Sequence, residues 1–194
     1  MGNGDSLTRR AFFREAIGAA IKSAAEAFSA TAKRVAPPLF IRPPGALPEP
    51  EFLLLCNRCG ECEPACPHKA IELLPSSAGA SAGTPAIMPS RQPCLICDGF
   101  PCAKTCEPKA LAAPASKQEV KIGVAKVDES LCLSAQSQEC DYCERECRRR
   151  KKAITLVFGS PPKIDLSLCD GCGLCEYICP APDKPAIHIL PFER

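Results

Sequence analysis

Sixteen cysteines in a chain of 194 residues fall into four groups of four, separated by long cysteine-free stretches. The first group is Cys56-x2-Cys59-x2-Cys62-x3-Cys66, followed at once by Pro67. The second is Cys94-x2-Cys97-x4-Cys102-x3-Cys106, and the third is Cys132-x7-Cys140-x2-Cys143-x3-Cys147. The fourth, Cys169-x2-Cys172-x2-Cys175-x3-Cys179 before Pro180, repeats the first. No cysteine is left over. Thiolates gathered four at a time are the ligand sets of metal centres, and their spacing decides which centre they suit.

Groups one and four carry the spacing used to bind a [4Fe–4S] cubane, including the trailing proline. Three thiolates two residues apart can be wrapped around three corners of a small cube by one tight loop. The fourth, three residues on, leaves on a helical turn and in two-cluster proteins ligates the other cluster. Gly60, Gly171 and Gly173 let such a loop close on an inorganic core. Structural zinc favours CxxC pairs with longer spacers, often completed by histidine, and only His68 and His188 are present. A secreted disulfide scaffold would also use an even cysteine count, but CxxCxxC triplets make poor local bridges.

Groups two and three are looser, yet all four groups are followed by a similar segment. These are Lys69-Ala70-Ile71, Lys109-Ala110-Leu111, Lys152-Ala153-Ile154 and Pro185-Ala186-Ile187. Groups three and four are preceded by apolar strands ending in Asp, Ile122–Asp128 and Lys163-Ile164-Asp165. A unit of strand, cysteine loop, short helix and strand is thus written four times, and an internal repeat outweighs local propensity in deciding a fold. Four ligand sets imply four [4Fe–4S] clusters. Matching the groups by spacing favours a nested pairing, one with four and two with three, over a sequential one. The nested clusters are Cys56, Cys59, Cys62 with Cys179; Cys169, Cys172, Cys175 with Cys66; Cys94, Cys97, Cys102 with Cys147; and Cys132, Cys140, Cys143 with Cys106.

The elements that must position these groups follow from the rest of the chain. In residues 1–35, Phe13, Ile17, Ile21, Ala24 and Phe28 recur at the period of an amphipathic helix. Residues 36–50 hold six prolines and read as a Pro-rich strap. Residues 75–93 read as a loop, and a ferredoxin-type domain with the four motifs occupies 51–194. The fold class expected is α+β, built from tandem ferredoxin-like 2[4Fe–4S] units. Thr8-Arg9-Arg10-Ala11-Phe12-Phe13 is similar to a twin-arginine export signal, but Arg14, Glu15, Lys22 and Glu26 interrupt the apolar stretch that a leader needs. A cytoplasmic location is expected, with periplasmic export as the alternative.

Composition excludes several classes. A formal net charge of +2 is no footprint for nucleic-acid binding, no apolar run reaches transmembrane length, and aromatics at 5% cannot fill an ordinary core. Arg148-Arg149-Arg150-Lys151-Lys152 is the one strong charge run, either a solvated turn or a docking patch for an acidic redox partner. It also lies beside Cys147, where positive charge would raise a cluster's potential. His68 is expected exposed or beside a cluster, and Tyr142 and Tyr177 are expected to shield cluster faces. No phosphate loop, nucleophile–base pair or nicotinamide fingerprint is present, so no catalytic residues are assigned.

The segments IRPPGALPEPEFLLLCNRCGECEPACP, GTPAIMPSRQPCLICDGFPCAKTC, KIGVAKVDESLCLSAQSQECDYCEREC and CDGCGLCEYICPAPDKPAIHILP resemble the MauM/NapG-type ferredoxin family, in the family's order and with its unusual x4 and x7 spacings. The resemblance implies four [4Fe–4S] clusters ligated by all sixteen cysteines. It also implies an electron-transfer subunit working between a membrane quinol-linked donor and a terminal reductase, with any membrane-surface association made through a partner. The sequence departs from the family pattern where Glu107 and Arg148 replace proline after Cys106 and Cys147. The function expected is therefore relay of electrons between redox protein partners. Its alternatives are a catalytic iron–sulfur oxidoreductase subunit and a zinc-structural scaffold.

Overall fold

The computed structural model describes residues 40–149 and 152–192. The expected helix over 1–35 and the first residues of the Pro-rich stretch lie outside them. Helix α1, Glu49–Leu55, starts two residues before the expected boundary of the Cys domain. It tolerates Pro50 because an amide in the first turn has no intrahelical acceptor to lose, and Glu49 and Glu51 sit where the helix dipole favours negative charge. Cys56 ends it in an extended conformation.

After α1 come β1 (Ile71–Leu73), a 3-10 helix (Ser76–Ser81) and β2 (Pro85–Ile87). Then follow α2 (Pro101–Lys104), a second 3-10 turn (Lys117–Glu119) and β3 (Gly123–Val127). The rest is α3 (Tyr142–Arg145), β4 (Ile154–Thr155), β5 (Lys163–Ile164), α4 (Leu174–Tyr177) and β6 (Ile187–Pro191). The stretch 75–93, expected as loop, holds both a 3-10 helix and β2. Its Ser/Pro content conceals a short strand that tertiary pairing creates.

Strand pairing divides these elements into two halves of the same plan. In the second half β3 pairs antiparallel with β6, from Gly123 opposite Pro191 to Val127 opposite Ile187, while β4 pairs with β5. In the first half β1 pairs with β2. There the outer pair is made by the segments around Ala46 and Leu111: Leu47 donates its amide to the Ala110 carbonyl and Ala112 to that of Gly45. In each half, chain before the first cysteine group pairs with chain after the second, so each half closes on itself. Only the first unit departs from the repeat, with α1 standing directly before its cysteines. The two Asp residues noticed at the ends of β3 and β5 make matching turns. Asp128 Oδ1 accepts from the Ser130 amide at 3.1 Å and Asp165 Oδ1 from the Ser167 amide at 2.8 Å. The hydroxyls of Ser130 and Ser167 bond the same carboxylates and hold both pKa values below the usual 3.8.

The core is thin. Ile41, Phe52, Ile71, Ile87, Ile96 and Leu111 meet Val120, Ile122, Ile154, Ile187 and Ile189, with cysteines threaded throughout. Arg42 is buried at one edge of it and fully engaged. Its guanidinium donates to Glu49 through Nε at 2.9 Å, and to the Thr84 hydroxyl and the Pro85 carbonyl, each at 2.8 Å. It also lies 4.6 Å from the centre of the Phe52 ring. Arg42 thus fastens residues 40–48 to α1 and β2. Arg42→Ala leaves the half-buried Glu49 without its counter-charge, and a loss somewhat below the roughly 3–5 kcal/mol of a fully buried pair is expected. Thermal melts should show it, with a smaller loss in Arg42→Ala combined with Glu49→Gln.

Candidate metal centre

None of the sixteen cysteines is in a disulfide, and the two closed halves bring them together in sets that cross from one motif to the next. Cys56, Cys59, Cys62 and Cys106 line one hollow together with Phe52, Pro85, Pro108 and Leu111 (set A). Cys94, Cys97, Cys102 and Cys66 line a second with Ile71, Ile87, Phe100 and Pro101 (set B). Cys132, Cys140, Cys143 and Cys179 line a third with Val127, Leu133, Pro162 and Ile187 (set D). The remaining four are also neighbours: repulsion from Cys172, Cys169 and Cys147 bears on Cys175, and repulsion from Cys169 bears on Cys147 (set C). The three lined hollows each hold about 340–360 Å³, mouths included.

This grouping of the thiols differs from the expected nested pairing. Cys179 stands with Cys132, Cys140 and Cys143, not with group one, and Cys66 stands with Cys94, Cys97 and Cys102, not with group four. Cys106 joins Cys56, Cys59 and Cys62, and Cys147 joins Cys169, Cys172 and Cys175. The reason is topological. Each half is closed by its own strand pairs, so the last cysteine of a group reaches only the other group of that half. Similar spacing in groups one and four reports similar local loops and says nothing of which loops face each other.

The sets stand in a row. Cys62 of set A feels Cys102 of set B, and Cys175 of set C feels Cys143 of set D. Between the halves, the Cys94 amide of set B donates to the Cys172 carbonyl of set C at 2.9 Å. The order is A, B, C, D.

The surroundings of the sulfurs are apolar, and burial is the main cause of the thiol shifts. It pushes Cys62, Cys94 and Cys143 up to about 12 and Cys102 up to about 11. Cys172 and Cys175 rise as well, again mainly by burial. A bare thiolate is therefore disfavoured in these hollows, whereas a cationic iron core inverts that preference and takes the sulfur deprotonated. Among the described residues no group of Cys, His, Asp or Glu converges on a position for a single ion. Four sulfurs around a hollow suit a multi-iron core better than one zinc at about 2.3 Å from each sulfur.

Backbone amides complete three of the sets. Ala70 donates to Cys66 Sγ at 3.3 Å, Leu111 to Cys106 Sγ at 3.4 Å and Ala186 to Cys179 Sγ at 3.2 Å. These donors lie in the segments that recur after each cysteine group, so the repeat marks a structural device: a turn that returns an N–H to the fourth sulfur. Lys69 and Lys109 take the same left-handed conformation, φ 53 and 60, to make that turn. Gly171 and Gly173 have positive φ, as a tight loop needs, but their missing side chains serve packing against other segments. A Cβ on Gly171 would lie 2.3 Å from the Gly123 amide nitrogen, and one on Gly173 would lie 2.4 Å from Pro89 Cβ.

Other expectations are met unevenly. His68 is exposed and lines the set B hollow. Tyr142 and Tyr177 are 39% and 49% exposed and do not line the hollows of sets A, B and D, where aliphatic, proline and phenylalanine side chains lie beside the sulfurs. The basic run is no free docking patch at its start. Arg148 and Arg149 are half-buried, Arg149 lies 3.5 Å from Asp170, and only Lys152 of the described members is exposed.

Paired motifs, cysteine sets shared within each half and N–H donors aimed at sulfur define a ferredoxin-type iron–sulfur protein. The 4Fe-4S binding domain family matches residues 53–72 and 162–181. The chain is 38% identical over 164 residues to the ferredoxin-type protein NapG of Escherichia coli (strain K12), covering 78% of this chain and 71% of that one. It is 39% identical over 160 residues to the methylamine utilization ferredoxin-type protein MauM of Paracoccus denitrificans (strain Pd 1222), with 78% and 71% covered. The ferredoxin-type protein NapF of Escherichia coli is 31% identical over 146 residues, 72% of this chain and 80% of that one. No solved structure matches. The chain belongs to the NapG/MauM ferredoxin-type family. It is an electron carrier that binds [4Fe–4S] clusters and works with redox partners. Among the described residues no helix is long and apolar enough to cross a membrane.

Proposed function

We propose that all sixteen cysteines are cluster ligands, that sets A, B, C and D hold one [4Fe–4S] cluster each, and that the protein relays electrons along the row between a membrane quinol-linked donor and a terminal reductase. The observation that supports this reading is that set A adjoins B, B adjoins C and C adjoins D. When bound, each cluster supplies a one-electron acceptor site. The chain supplies the rest: thiolates in apolar walls, amides to sulfur, and a fixed spacing between neighbours.

The row's ends also carry exposed apolar side chains suited to partners. At set A, Leu54 and Leu55, just before Cys56, are 85% and 45% exposed. At set D the β4–β5 turn, held to the third cysteine loop by the Ser134 hydroxyl donating to the Ser160 carbonyl at 3.0 Å, presents Val157 and Phe158. One partner at each end is the arrangement this favours. A cytoplasmic location belongs to the same proposal; cell fractionation tests it, and recovery in the periplasm would replace it with export.

Iron and sulfide analysis with EPR on anaerobically purified protein tests the cluster count. About sixteen irons per chain are expected, four per cubane. About eight would leave two sets without clusters, and a colourless zinc-loaded protein would end the proposal.

A further inference from the structure

Of the sixteen cysteines only Cys59 is exposed. It lines the set A hollow beside Asn57, Arg58 and Glu61, so this set alone offers an electron a ligand at the surface. The surface around it has an apolar part and an acidic part. Leu54 and Leu55 stand open just before Cys56, and Glu51 lies one turn before them on the same side of α1. Glu61 and Glu63 flank Cys62, and Glu107 follows Cys106, where groups one and four carry Pro67 and Pro180. All four carboxylates are exposed, and none has an ion pair or a side-chain hydrogen bond among the described residues. Arg58 does not offset them freely. Its guanidinium is committed to the Ala80 carbonyl at 3.1 Å and the Ala82 carbonyl at 3.0 Å, which leaves Lys109 as a counter-charge on the turn after Glu107. The set D end differs. Asp141 and Glu146 there are both paired with Arg145, and none of its four cysteines is exposed.

We propose that the face around Cys59 docks a basic redox protein, one that presents lysines or arginines around its own electron-transfer centre. Leu54 and Leu55 form the apolar contact, and the four carboxylates form the rim. The proposal rests on the reading of set A as a cluster site. Carboxylates beside a thiolate-bound core repel the electron it must accept, so the needs of the site itself do not account for them. An encounter does. A rim of one sign speeds association with a partner of the other, and an apolar centre within a polar rim is the usual anatomy of a protein interface. In the docked pair one electron crosses between the two centres, one oxidised and the other reduced by that electron, with no bond made or broken.

Binding of zinc-substituted cytochrome c, a lysine-rich probe that accepts no electron, to the iron-loaded full chain tests this, with iron content measured first. Near-zero iron in the unsubstituted protein would sink the cluster reading, and the docking proposal with it. With iron in place the docking proposal is tested by itself. The probe should bind at low ionic strength and be released as salt rises. Glu51→Gln, Glu61→Gln, Glu63→Gln and Glu107→Gln together should weaken binding about tenfold. Glu119→Gln, Glu129→Gln, Glu139→Gln and Glu146→Gln together, which remove the same charge elsewhere, should leave it nearly unchanged. Equal losses from the two sets, or a preference for an acidic flavodoxin over the cytochrome, would overturn the proposal. Where the rim variant loads less iron, zero-length carbodiimide coupling of the unsubstituted protein to the same probe decides. Amide bonds at Glu51, Glu61, Glu63 or Glu107 support it, and none at these four overturns it.

Discussion

Replacing Cys66 and Cys102 together by alanine should remove one cluster, about a quarter of the iron, whereas replacing Cys66 and Cys175 together should remove two, about half. Cys66 and Cys102 line the same hollow, so the second substitution strikes a set that has already lost a ligand. Cys175 belongs to the row's third set, with Cys147, Cys169 and Cys172. A nested arrangement predicts the opposite, because Cys66 and Cys175 would then share a cluster. Iron analysis and EPR spin counts on the two double variants separate these outcomes. The reverse ranking of iron loss would restore the nested scheme.

Removing the iron should unfold the described domain. The strands are two to five residues long, and the largest fully buried side chains are few: Phe52, Ile87, Ile96 and Leu111, with Thr84 and Pro43. Metal binding to a structural site reaches on the order of 10–16 kcal/mol for zinc, as large as the whole stability of a typical domain at about 5–15 kcal/mol. A chelator with an oxidant should therefore abolish near-UV circular dichroism and the cooperative melt, and reconstitution with iron and sulfide should restore both. The pH dependence has a definite sign. Burial holds Cys62 and Cys94 near 12 against an ordinary 9.0. Any folded iron-free form keeps that contribution below pH 9 and loses it as the pH climbs from 9 towards 12. The loaded protein, whose sulfurs are already thiolate, should lack that loss. An iron-free chain that melts cooperatively at the loaded protein's temperature would refute the dependence on metal.

The two 4Fe-4S binding motifs that the family model matches were legible in the sequence because metal chemistry constrains spacing over a few residues. Cys56 to Cys66 and Cys169 to Cys179 show it directly, and the strands at Ile122–Asp128 and Lys163-Ile164 appear nearly where they were expected. The partnership of the sets was not legible. It depends on β1 meeting β2 and on Ala46 meeting Leu111, long-range pairings that leave no trace in motif spacing. The recurring Ala-Ile or Ala-Leu after each group showed a repeat, but its purpose in three of them, an amide returned to the fourth sulfur, needed coordinates. Arg42 left no signal either. It lies in a Pro-rich stretch where nothing local betrays a buried guanidinium with four acceptors around it.

The tight meeting of Gly173 and Pro89 bears on how such a carrier can turn over. With no room for even a methyl group at that joint, the halves are poorly suited to swinging apart and back. Current would flow through a stationary conduit, and donor and acceptor could remain seated at opposite termini throughout, never competing for one landing site.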